Sequence, residues 1–143
     1  MSASDLVEQV RVGFSGEGGF DGLGSQAMAD ALVAAIEPHA TDDFECHMMG
    51  AGGVAWQGME GLRAGWHDFL EAFDYLRIIP GELRENRTGD AVVEFVRLES
   101  RPKGTTATFE QTAAAVWRVR DERIAAIEFH LDRDAALRSG GLA

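Results

Sequence analysis

Three polar side chains near the C-terminus, Glu128, His130 and Asp132 of the run EFHLD, recur at every second position. On an extended strand that spacing places them on one face, opposite Ile127, Phe129 and Leu131. A carboxylate beside an imidazole fixes its tautomer and raises its basicity, so the trio fits acid/base chemistry with His130 or Asp132 in the active role. The same residues also fit a structural use. Asp132 ahead of RDAAL is placed to cap a closing helix, and an inward apolar face would turn Glu128 and His130 toward solvent or a partner subunit. His47 next to Cys46 reads as a base beside a nucleophile, but neighbours on a strand point to opposite faces. His47 therefore stands as a candidate base by itself, with Cys46 as a core thiol. His67 and Glu71 are four apart and read as a solvated helical pair. Arg97 and Glu99 alternate on one face near Glu110. Either they pair across a hairpin, or Arg97 turns inward to hold a carboxylate or enolate.

These residues need elements to position them. Asp5 and Glu8 mark the start of a first helix bearing Leu6, Val7, Val10 and Phe14, and the run GEGGFDGLG then turns the chain. A second helix opens at Ser25, carries Met28, Leu32 and Ile36, and stops at Pro38. FECHMM follows as a strand with Phe44, Cys46 and Met48 on one side and Glu45, His47 and Met49 on the other; Gly50, Gly52 and Gly53 break it. A short VAW piece leads into a third helix over 57–73, whose stripe is Met59, Leu62, Trp66, Phe69, Leu70 and Phe73. A strand over 75–87 with Pro80-Gly81 as a bulge or edge, three further strands' worth of alternation from Gly89 onward, and a short closing helix complete the chain. Gly22-x-Gly24-x-x-Ala27 has the spacing of a dinucleotide fingerprint, but it follows a helical pattern instead of a strand, so no nucleotide is expected there.

Composition narrows the function classes. The 143 residues fit a single domain over 1–143, 45% hydrophobic and 26% charged, as in ordinary globular proteins. A net charge of -11 repels nucleic acid and anionic lipid, no apolar run approaches a membrane span, and MSASDLVEQV lacks a secretory pattern. The expectations are a cytoplasmic protein with no nucleic-acid or membrane partner, no metal and no cofactor, and one free thiol.

The order of two helices, a long helix and a run of antiparallel strands resembles the nuclear-transport-factor-2-like superfamily, in its SnoaL-like, polyketide-cyclase-like branch. The residues carrying the resemblance are GGFDGL, GMEGLRAGWHDFLEAFDYLRIIP, the GD turn at Gly89-Asp90, AAAVWRVRDERI and LDRDAALRSGGL. It implies an α+β fold, a cone-shaped curved antiparallel or mixed sheet wrapped around N-terminal helices as in a cystatin-like roll, with a pocket at the open end. Members with steroid-isomerase chemistry carry a base on the first strand and an acid on the penultimate one. The resemblance places Met48 or, one register away, His47 at the first position and Ala115 at the second. A tyrosine on the first helix is missing too, since Tyr75 is the only tyrosine.

The expected pocket is lined by Met48, Trp56, Trp66, Phe69, Ala115, Trp117 and Phe129, and takes a small hydrophobic, polyketide- or steroid-like ligand. The expected assembly is a homodimer through the outer sheet face. Two function classes stay open: a cofactor-free isomerase, cyclase or hydrolase, and a ligand-binding or regulatory protein without chemistry. An ionisable side chain inside the cone separates them.

Overall fold

In the computed structural model, residues 1–15, 25–48 and 54–142 are described. The glycine-rich turn at 16–24, the strand break at 49–53 and the side chain of Phe14 lie outside the described residues. Helix α1 (Ala3–Ser15) begins ahead of the predicted signal because Ser2 and Asp5 cap each other. The Asp5 N–H donates to Ser2 Oγ at 3.1 Å and the Ser2 N–H to Asp5 Oδ2 at 3.3 Å, satisfying amides that no helical carbonyl reaches. Helix α2 (Ser25–Ile36) passes into a short 3-10 turn, Glu37–His39, where Pro38 cannot supply the next helical N–H.

Then come β1 (Ala40–Met48), β2 (Val54–Gln57), α3 (Gly58–Leu70), β3 (Phe73–Glu85), β4 (Ala91–Pro102), β5 (Phe109–Arg120), β6 (Arg123–His130) and α4 (Arg133–Ser139). Helix α3 is shorter than its apolar stripe predicts: it stops at Leu70, and Phe73 opens β3 instead. The strands form one curved, unclosed sheet in the order β2-β1-β6-β5-β4-β3. Every neighbouring pair is antiparallel except β1 beside β6. The β5–β6 hairpin turns on Asp121 and Glu122, both left-handed with φ of 53° and 64°, a geometry that matches the twist of its strands.

Helices α1, α2 and α3 cover the inner face, burying Leu6, Val10, Leu32, Ile36, Leu62 and Trp66 against alternate strand residues. Helix α4 covers part of the outer face, where Ala136 packs on Ala91, Val93, Ala114 and Val116. Strand β4 is thus buried on both sides over Ala91–Glu94, which accounts for its near-continuous apolar run. On edge strand β3 the register slips between Pro80 and Leu83, so the Pro80-Gly81 signal marks both a bulge and an edge. A Cβ on Gly81 would lie 2.6 Å from the Phe95 carbonyl oxygen, a backbone atom that cannot swing aside. The expected cost of Gly81→Ala is about 1–3 kcal/mol in urea unfolding, and an unchanged midpoint would contradict this close approach.

Candidate functional site

Strand alternation selects which residues face the helices, and register lines them up. Across the inner face one row runs Met48, Phe129, Ala115, Glu94 and Leu83, on β1, β6, β5, β4 and β3 in turn. The next row holds Cys46, Ile127, Trp117 and Val92. All of these are apolar but Glu94, which is only 7% exposed; the second row ends at the sheet edge on Glu85, opposite Val92 and exposed.

The Glu94 carboxylate is held from two elements. Trp117 Nε1 donates to Oε1 at 3.0 Å, and Arg11 Nε on α1 lies 3.3 Å from Oε2. Burial pushes its pKa above the ordinary 4.5; the Trp117 hydrogen bond and the Arg11 charge oppose that rise, and Glu8 adds to it. A desolvated, partnered carboxylate on an apolar floor has the form of an acid/base group. Sequence alternation did not single Glu94 out. The signal was present as the one charge in AVVEFV, in phase with inward Val92 and Val96. Ala115, where the resemblance expects an acid, sits directly across from it, so the carboxylate is supplied one strand over.

Over this floor α3 brings aromatic rings. Trp66 meets Phe69 and Phe129 edge-on at 5.6 and 5.3 Å between centroids, and Phe69 lies 5.4 Å from both Phe129 and Phe73. Trp66 Nε1 is buried with no hydrogen-bond partner among the described residues. Half-buried Trp56 on β2 lies against Gly65, where a Cβ would come 2.9 Å from its Cδ1. Met48, Trp56, Trp66, Phe69, Ala115, Trp117 and Phe129 are thus all in the inner core or packed on it.

The other polar candidates lie elsewhere. His47 is on the outer face, with Nε2 2.9 Å from Glu45 Oε2, while Cys46 points inward, its thiol pushed up to about 12 by burial. His130 is on the outer face too, but it is 5% exposed and lies 3.0 Å from Glu128 Oε1. The expectation of solvent or a partner around Glu128 and His130 is corrected here, because α4 closes over them. Ser139 Oγ donates to Glu128 Oε1 at 2.6 Å, and Arg118 Nε donates to Oε2 at 2.9 Å. Asp132 caps α4, its Oδ1 accepting from the N–H groups of Asp134 and Ala135 at 2.9 and 3.4 Å. His67 pairs with Glu71 at 3.1 Å. Glu99 pairs with Arg77 on β3 at 3.2 Å, while Arg97 points outward and is exposed. Among the described residues no three His, Cys, Asp or Glu side chains gather as a metal set, and no helix is long and apolar enough to cross a membrane.

A curved, unclosed sheet packed around three helices, with one buried carboxylate on its inner apolar face, defines an α+β class of protein. The chain belongs to the SnoaL-like domain family, whose model matches residues 25–127. Among solved structures, TerC co-crystallised with polyporic acid is similar at 20% identity and a TM-score of 0.65, with 93% of each chain covered. A protein from Jannaschia sp. CCS1 classed with the SnoaL-like polyketide cyclases is similar at 19% identity and a TM-score of 0.66, covering 98% of this chain and 93% of that one. A protein of ketosteroid-isomerase-like fold from Catenulispora acidiphila DSM 44928, in complex with trimethylamine, is similar at 16% identity and a TM-score of 0.63, covering 97% and 94%. Among curated protein sequences none matches this chain significantly.

Proposed function

We propose that the inner face binds a small apolar ketone of the polyketide or steroid kind and that Glu94 moves a proton on it without a cofactor. The single observation carrying this reading is the buried carboxylate of Glu94 on an otherwise apolar floor. The ligand lies over Ala115, whose small side chain is flanked by Phe129 and Glu94, with Met48, Trp56, Trp66, Phe69 and Trp117 around it. As the base, the Glu94 carboxylate takes a proton from a carbon next to the carbonyl, and the bonding pair moves to the carbonyl oxygen. Returning the proton to a second carbon of the enolate gives an isomer and restores the carboxylate. Crystallisation of TerC with polyporic acid supports a small molecule as the partner. No proton transfer is assigned to His47, His130 or Asp132, since all three belong to the outer face or to the α4 cap.

Trp66 Nε1 has the role of donor to a ligand oxygen, because a buried N–H without a partner is costly until a ligand supplies one. Trp66→Phe keeps an aromatic ring and removes the donor. It is expected to weaken binding of an oxygenated ligand about 5–20-fold by titration calorimetry, relative to its deoxygenated hydrocarbon. Equal losses for both ligands would remove Trp66 from this role.

The second reading, a binding protein without chemistry, is favoured by Met48 and Ala115 at the two positions where catalytic relatives carry polar groups. Deuterium uptake into cyclic ketones, followed by proton NMR alongside a binding titration, separates the two. Uptake above the buffer rate supports catalysis, binding without uptake supports the second reading, and neither binding nor uptake sinks both. A homodimer through the outer sheet face remains part of the proposal, on its β1–β2 part around Glu45 and His47, which α4 leaves uncovered; sedimentation equilibrium tests it.

A further inference from the structure

The outer face carries a second concavity, of about 360 Å³, where the β3 bulge at Pro80–Glu82 meets β4 and the start of α4. Three arginines line it, Arg84, Arg97 and Arg133. Arg84 and Arg133 each lie over the ring of half-buried Phe95, with Cζ 5.0 and 5.1 Å from its centroid. That contact fixes both cations at the pocket wall. Arg133 is anchored further. Its Nε and Nη2 donate to the carbonyls of Ala113 and Val96 at 3.3 and 3.0 Å, so two of its N–H groups are used and the rest remain for a ligand. Exposed Arg97 makes no ion pair or side-chain hydrogen bond among the described residues.

Among the described residues the one carboxylate lining the pocket is Glu82, which lies 3.3 Å from Arg84. Glu99, next on the outer face of β4, is paired with Arg77. Two positive charges are left uncompensated around one cleft, in a chain whose net charge is -11. Like charges held together this way repel one another unless an anion lies between them.

We infer that this pocket binds a compact dianion, a dicarboxylate or a phosphomonoester, through Arg84, Arg97 and Arg133. The guanidinium fork recognises both oxyanions, since each offers paired oxygens to parallel N–H donors. The pocket is on the face of the sheet opposite Glu94, so its ligand is separate from the one proposed for the inner floor.

The test is titration of the full chain with inorganic phosphate and, in parallel, with malonate, at low salt. Amide NMR shifts at Gly81, Phe95 and Arg97 report the site. Saturable, salt-sensitive shifts are expected with at least one of the two, and the stronger one identifies the ligand class. Arg97→Gln, an exposed position whose loss leaves the core intact, is expected to weaken binding about tenfold. Arg120→Gln, away from the pocket, is expected to leave it unchanged. Shifts that never saturate, or equal affinity in Arg97→Gln and wild type, would overturn the inference. So would binding that disappears as protein concentration rises, since that places a second copy of the chain on the pocket.

Discussion

Replacing Glu94 with glutamine is expected to slow deuterium uptake into a bound ketone by about 10²–10⁴-fold while ketone affinity stays close to wild type. The amide oxygen still accepts the Trp117 N–H at the position of Oε1, while the NH2 takes the place of the Oε2 that faces Arg11, so the basic oxygen and the Arg11 ion pair are lost together. Affinity and rate falling together would instead mark Glu94 as part of the ligand mould. The wild-type rate carries its own pH signature. Only the ionised carboxylate is a base, and burial raises its pKa above 4.5, so the rate rises with pH through that higher value and then levels.

Stability moves the opposite way. Below the ordinary glutamate value the folded and unfolded chains both hold the proton, and Glu94 adds no pH dependence. As pH rises from 4.5 toward the raised folded value, the unfolded chain releases a proton that the folded chain keeps, so stability falls, and above that value it levels off. Glu94→Gln should remove this slope in urea unfolding. A slope identical to wild type would show that another group produces it.

The second large effect concerns α4. Glu128→Ala is expected to cost about 2–3 kcal/mol, since Ser139, Arg118 and His130 lose their shared acceptor at once. The figure is below that for a fully buried pair because the Arg118 side chain is 38% exposed and water takes up part of its charge. Hydrogen exchange should then quicken across Arg133–Gly140 first, while β1 and α3 stay protected. Uniform quickening would mean that Glu128 supports the whole sheet and not a local latch. Acid should act in the same direction. Burial alone would raise the Glu128 pKa, but hydrogen bonds from Ser139, His130 and Arg118 outweigh it and hold the group below 4.5. Its stabilising contribution is therefore complete above the ordinary value and is lost as pH falls through the depressed one.

Much of the fold was legible because its signals are local. The α3 stripe of Leu62, Trp66 and Leu70, the proline that stops α2, the bulge at Pro80-Gly81 and the Asp132 cap each depend on residues a few positions apart. Errors were local as well. α1 starts at Ala3 because Ser2 caps it, and Phe73 belongs to β3 although its spacing continues the α3 stripe. Trp66 and Phe69 were placed on an inward stripe by helical spacing, and Trp117 and Phe129 on one strand face by a period of two, neither of which needs knowledge of the neighbouring strand.

The chemistry was not legible in the same way. Glu128, His130 and Asp132 stood out by their spacing, yet α4 folds back and turns two of them into its own anchorage, an outcome set by a helix packing on a sheet. Glu94 looked like one charge in a valine-rich strand. Its meaning depends on Trp117, twenty-three residues later on β5, and on Arg11 from the first helix. By itself the sequence determined most of the elements, the alternation along each strand and the family, while the face taken by Arg97, Glu128 and His130 waited on the packed sheet. Only the tertiary structure decided which charge is buried, because the cost of desolvating a carboxylate and the partners that offset it come from distant segments that meet only in the folded sheet.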